Sequence, residues 1–107
     1  MRVIARRTLH EFVESLAGHK DQTAVKTALD NWIDETRRAN WKSTADVKRR
    51  YATASIVTAE RIVFNIKGND YRLVVAFDFA KTTAWIKWIG THRAYDKIDV
   101  RNVRYDQ

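Results

Sequence analysis

The chain has no cysteine and no proline, and only three glycines in 107 residues. Without cysteine there is neither a disulfide framework nor a thiolate metal site. Without proline, and with so little glycine, few breaks are forced on the backbone, so hydrophobic periodicity must set the element boundaries. No segment approaches the roughly 20 apolar residues of a membrane helix. The opening M-R-V-I-A-R-R-T carries no apolar stretch of the kind a signal peptide needs. These absences predict a cytoplasmic protein with no membrane partner. Also missing are a phosphate-binding glycine loop, a zinc pattern and a serine-triad signature. Asp78, Asp96 and Asp99 have no metal-ligand spacing, which argues against a two-metal nuclease. The sequence therefore predicts no metal and no cofactor.

The apolar share of 45% and aromatic share of 11% predict a folded globule rather than a basic tail. The length suits one domain over residues 1–107. A formal net charge of +7 and a pI of about 10.0 favour a polyanionic partner, nucleic acid ahead of an anionic membrane surface.

Arg2 to Ala5 predicts a short edge strand through Val3 and Ile4. Thr8 and Glu11 make a capping-box pattern, followed at helical spacing by Leu9, Phe12, Val13, Leu16 and Ala17, with Gly18 as the stop. Asp21 opens a second helix with Val25, Ala28, Leu29, Trp32, Ile33 and Thr36 on one face; Asp34 and Arg38 form a favourable i,i+4 pair outside it. Asn40 to Tyr51 is polar and basic, a connector with room for one helical turn capped by Ser43 or Thr44.

From Arg61 the period becomes two. Ile62, Phe64 and Ile66 alternate with Val63, Asn65 and Lys67, and Tyr71, Leu73, Val75, Phe77 and Phe79 alternate with Arg72, Val74, Ala76 and Asp78. Gly68-Asn69 between them suits a two-residue turn with positive φ at the glycine. That register pairs Ile66 with Tyr71, Phe64 with Leu73 and Ile62 with Val75, and sets Asn65 opposite Arg72. Ala84 to Gly90 reads as a third strand, apolar on both faces and so central and covered. Lys97 to Tyr105 offers a last strand through Ile98, Val100 and Val103. The whole is α+β: a short N-terminal strand, two helices, then an antiparallel β-meander with the helices packed on one face.

Cleavage of RNA through its 2′-hydroxyl needs that hydroxyl deprotonated, the leaving oxygen protonated and the charge gathering on phosphorus stabilised. Arg72 offers a planar fork for phosphate oxygens and Lys67 a point charge. His92 is of the residue type most often used as a general acid or base, and Tyr95 can share the proton transfer or stack on a base. Asn65, Lys87 and Arg93 join Lys67 as candidate RNA contacts. Each also has a plainer reading: His92 a turn residue, Arg72 a solvated strand residue, Asn65 the cap of a bulge, Tyr95 half-buried core. The tryptophans at 32, 85 and 88 sit in apolar patterns and read as core. Trp41 and Tyr51, among Lys42, Lys48, Arg49 and Arg50, have the make-up of a base-stacking segment, with a solvated basic connector as the simpler reading. His10 lies opposite its helix's apolar stripe and His19 just beyond it, so neither is a candidate. Residue types alone give a small basic α+β domain suited to RNA.

The run V-F-N-I-K-G-N-D-Y-R-L-V-V-A, followed at the right distance by T-H-R-A-Y-D, resembles the HigB-type toxins of bacterial type II toxin–antitoxin systems, within the wider RelE-like group. The resemblance covers about residues 61 to 99, and the ordered pair G-N-x-x-R-L and T-H-x-x-Y-D is more specific than either motif alone. It implies an mRNA endoribonuclease acting on the ribosome without a metal. It also implies inhibition by a cognate helix-turn-helix antitoxin, with DNA reached only through that antitoxin. Carried over by motif, Arg72, His92 and Tyr95 are the implied catalytic positions. Many RelE-like toxins have lysines where this chain has Val63 and Asn65, which leaves the general base open between Lys67 and His92. The rival from another class is a non-catalytic RNA-binding module, or a degenerate toxin kept for its antitoxin complex.

Overall fold

Alternation from Arg61 onward builds the centre of the molecule. In the computed structural model, which describes residues 1–104, the order is β1 (Arg2–Ile4), α1 (Arg6–Ser15), α2 (Gln22–Arg38), α3 (Thr44–Arg50), β2 (Ser55–Ile56), β3 (Arg61–Ile66), β4 (Tyr71–Asp78), β5 (Thr83–Thr91) and α4 (His92–Tyr95). The strands form one five-stranded mixed sheet ordered β1-β5-β4-β3-β2. The β3–β4 register is the expected one, Asn65 with Arg72, Phe64 with Leu73 and Ile66 with Tyr71. Gly68 has φ +63, as the turn requires; Lys67 joins it in the left-handed region at φ +51, which no pattern announced.

Period two puts one apolar set on the helix side: Ile62, Phe64, Ile66, Leu73, Val75, Phe77, Ala84 and Ile86 are all buried. Against them α2 lays Val25, Leu29, Trp32 and Thr36, all buried, and α1 lays Leu9. Phe64 sits in a web of edge-to-face contacts, 5.3 Å from Trp32, 5.2 Å from Tyr51 and 6.2 Å from Phe77 between ring centroids. The Met1 ammonium donates to the carbonyls of Thr36, Arg37 and Ala39 at the end of α2, where positive charge is favoured.

Five expectations need correction. The Thr8–Glu11 capping box is not used: α1 begins at Arg6 with Ala5 at its N-cap, and Thr8 is buried within it. Trp41 is core, edge-on to Tyr51 at 6.1 Å and to Phe77 at 6.0 Å, so the basic segment supplies aromatic packing rather than a stacking surface. Its cations are used nearby: Arg50 bonds Glu35 at 2.8 Å, Arg49 pairs with Asp46, and Lys48 donates to the Ala54 carbonyl. β5 is interior to the sheet but not covered on both faces, because Trp85 is 41% exposed. Trp88 is only partly buried, so of the three tryptophans read as core Trp32 alone is. The last strand does not form over residues 97–104, which turn back beneath the sheet; Tyr105 lies outside the described residues. Three further features had no advance signal: α4, β2, and the parallel pairing of β1 with β5 that makes the sheet mixed. Among the described residues no helix is long and apolar enough to cross a membrane.

Candidate active site

The face of the sheet turned away from α1 and α2 is organised in cross-strand rows. One row runs Asn65, Arg72, Gly90; the next Val63, Val74, Trp88; a third Arg61, Ala76, Trp85. Between the second and third, β5 carries an extra residue. Val74 pairs with Trp88 and Val75 with Ile86, leaving Lys87 as the bulge. Val63 and Val74 are buried although they face away from α1 and α2. Their cover is α4 and the segment after it: Tyr95 lies against Trp88 at 6.2 Å, and the Arg61 guanidinium donates to the carbonyls of Val100 and Val103 at 3.1 and 2.8 Å. Burial lowers the Arg61 pKa from the ordinary arginine value.

At the end of this face stands the β3–β4 turn, and two features converge on it. Arg72 folds its guanidinium back onto the turn, donating to the Asn69 carbonyl at 3.0 Å, to Asn69 Oδ1 at 2.7 Å and to the Tyr71 carbonyl at 3.3 Å. His92 donates its backbone N–H to the Asp70 carbonyl at 2.9 Å, tying the start of α4 to the same turn. Thr91 caps α4 by accepting from the Ala94 N–H at 3.0 Å. The His92 ring is exposed, with Nε2 3.8 Å from Asp96 Oδ1. Gly90, opposite Arg72, has no Cβ for a reason: one placed there would meet the Trp88 ring at 2.5 Å. The indole therefore lies across Gly90, and Tyr95 leans on it.

Arg72, His92 and Tyr95 are thus gathered around one end of this face. Asn65 stands in register with Arg72, and its amide donates to the Thr53 carbonyl at 3.4 Å. Arg93 is exposed on α4. Lys87 lies farther along β5, its ammonium 5.8 Å from the centroid of the Trp85 ring. Lys67 points to the helix side, pairing with Asp70 at 2.8 Å and with Asp21 at 3.4 Å. The hydrogen bond to Asp70, reinforced by Asp21, raises the Lys67 pKa. Asp21 also accepts from the Tyr71 hydroxyl at 3.1 Å. Burial opposes its charged form, but the bonds from Tyr71 and Lys67 prevail and leave its pKa below the usual value. His10 pairs with Glu14 at 2.8 Å, and His19 Nδ1 accepts from the Asp21 N–H on the helix side of the sheet. Among the described residues no three His, Asp or Glu side chains cluster to hold a metal.

Sequence reasoning missed Asn69, which holds the Arg72 side chain; its signal was the G-N-x-x-R spacing, where a turn amide precedes the arginine by three residues. It also missed the Trp88–Tyr95 contact, which the bulge at Lys87 hides from any alternation count. No curated protein matches the chain. A family model described as the HigB toxin, RelE-like toxic component of a toxin–antitoxin system, matches residues 25–98.

Proposed function

Because the chain belongs to the HigB toxin family of RelE-like toxins, we propose that it is an mRNA interferase: a metal-independent endoribonuclease that cuts messages on the ribosome in the cytoplasm. A cognate helix-turn-helix antitoxin neutralises it, and DNA is reached only through that partner. The observation that carries this reading is the convergence of Arg72, His92 and Tyr95 on the end of the sheet face not covered by α1 and α2.

Arg72 stabilises the phosphorane. Its fork is already oriented by Asn69, so little reorganisation is needed when a phosphate replaces part of that network. Lys67 is a poor general base, since Asp70 and Asp21 keep it protonated. His92, exposed at the first position of α4, serves as acid or base: it takes the 2′-hydroxyl proton or protonates the leaving oxygen. Tyr95 orients the substrate or shares the proton transfer. The charge of +7 draws the protein to ribosomal RNA with salt-sensitive affinity.

The test is induced expression of wild type beside Arg72→Ala and His92→Gln, with primer extension on a cellular message in the presence and absence of chelator. Growth arrest with new chelator-resistant cleavages, lost in both variants, is the expected result. Removing a preorganised donor to the reacting charge typically lowers the rate about 10²- to 10³-fold. The rival, a binding module or degenerate toxin, draws on the Arg72 guanidinium being engaged with its own turn. It predicts RNA binding that survives His92→Gln, and no cleavage by wild type.

A further inference from the structure

Trp85 is one of two large apolar residues exposed among those described, and it stands on an interior strand. Interior strands ordinarily cover such a side chain. It lies on the face that carries Arg72, two rows away, which at strand spacing is about 13 Å along the sheet. Beside the ring is an open hollow of about 480 Å³, lined also by Ala76, Phe79, Glu60 and Asp78. The bulge residue Lys87 sets its ammonium over the ring, and Arg2 stands in register with Thr83 at the same end of β5.

We propose that Trp85 and this hollow form a nucleobase subsite, which takes an amino-bearing base of single-stranded RNA bound across the sheet from Arg72. The proposal rests on the RNA-cleaving reading and adds to it a place for a base away from the reacting phosphate. An exposed indole stacks on any base face. The two carboxylates repel phosphate, so the group that enters the hollow is the base and not the backbone. Carboxylates accept from exocyclic amines such as cytosine N4 and adenine N6, which uracil lacks. Lys87 and Arg2 flank the hollow and meet the phosphates on either side of the stacked nucleotide. A protein partner covering Trp85 has less support, since an apolar contact gains nothing from two carboxylates beside it.

The experiment measures binding of the full chain to short labelled oligo(A), oligo(C) and oligo(U) RNAs by anisotropy, for wild type, Trp85→Phe and Trp85→Ala. Cleavage of a message and capture of a co-expressed antitoxin are followed in parallel. Stacking on one aromatic residue is worth about 1–3 kcal/mol, so Trp85→Ala should bind oligo(A) and oligo(C) about tenfold more weakly. Trp85→Phe should keep most of the affinity, and oligo(U) should bind wild type least. Wild-type affinity in Trp85→Ala would overturn the subsite, leaving the interferase reading intact if cleavage persists. Equal binding of all three RNAs by wild type would overturn the assignment to an amino-bearing base. Loss of antitoxin capture with RNA binding unchanged would reassign Trp85 to a protein contact. Absence of any RNA binding or cleavage by wild type would remove both readings together.

Discussion

Toward α1 and α2 the sheet presents Phe64, Leu73, Val75 and Ile86, all buried; from the same strands the other face presents Asn65, Arg72 and Trp85, none of them buried. The first face gains stability from apolar area and aromatic edges. The second forgoes much of that gain and holds its polar groups by separate bonds, Arg72 to the β3–β4 turn, Asn65 to the Thr53 carbonyl and Arg61 to the segment after α4. The turn at residues 67–70 serves both faces. Lys67 binds it to α2 through Asp21, while Asn69 binds the Arg72 side chain. Stability and chemistry are thus divided by the pleat and joined at a single loop.

That division can be broken most forcefully at Phe64. Phe64→Ala removes the centre of the aromatic web, and a loss of about 3–5 kcal/mol in urea-induced unfolding is expected. Arg72→Ala, eight residues along the chain yet on the other face, should change unfolding by less than about 1 kcal/mol while removing cleavage. A stability loss in Arg72→Ala as large as that in Phe64→Ala would erase the distinction between the faces. Gly90→Ala comes next in size. Its new Cβ must push the Trp88 ring aside, which typically costs about 1–3 kcal/mol. It should disturb the Tyr95 side of the site as well, seen as lower cleavage at a temperature where the variant is fully folded.

The smallest effect lies at the clasp between turn and helix. The folded-state pKa of Asp21 is depressed, so its contribution is present above the unfolded aspartate pKa of about 4 and disappears as pH falls through the lower folded value. Asp21→Asn should therefore be less stable than wild type at neutral pH, with the two urea midpoints converging in acid. A gap that stays constant down to low pH would show that the carboxylate charge is not what holds the clasp.

The hairpin was legible because its information is local. Period two fixes the faces, Gly68 fixes the turn, and together they set Asn65 against Arg72. The second helix was legible for the same reason, its apolar stripe being unbroken from Val25 to Thr36. Trp41 and Tyr51 were not, because each reaches the core singly from a segment with no stripe, and only the rings across from them reveal it. The pairing of β1 with β5 joins residues some 80 positions apart, beyond any local pattern. Of the candidate site, the residue types and their common end of the sheet could be read in advance. Lys67 facing Asp70 beside the turn follows from the hairpin register, whereas its second partner, Asp21, could not be read because it comes from the other half of the chain.

A strand is read in twos, and Lys87 shifts the reading frame. Trp85 and Trp88 are three apart, an odd interval that ordinary parity would send to opposite sides of the sheet. The extra residue restores them to one side, and on the other it does the same for Ile86 and Ile89. A pattern averaged over the whole strand mixes two phases and sees apolar residues everywhere, which is why β5 looked covered on both faces. Deleting Lys87 would put the strand back in a single phase. Both tryptophans would stay on one side and both isoleucines on the other, so the bulge leaves the two faces as they are and adds Lys87 alone, with its ammonium beside the Trp85 ring.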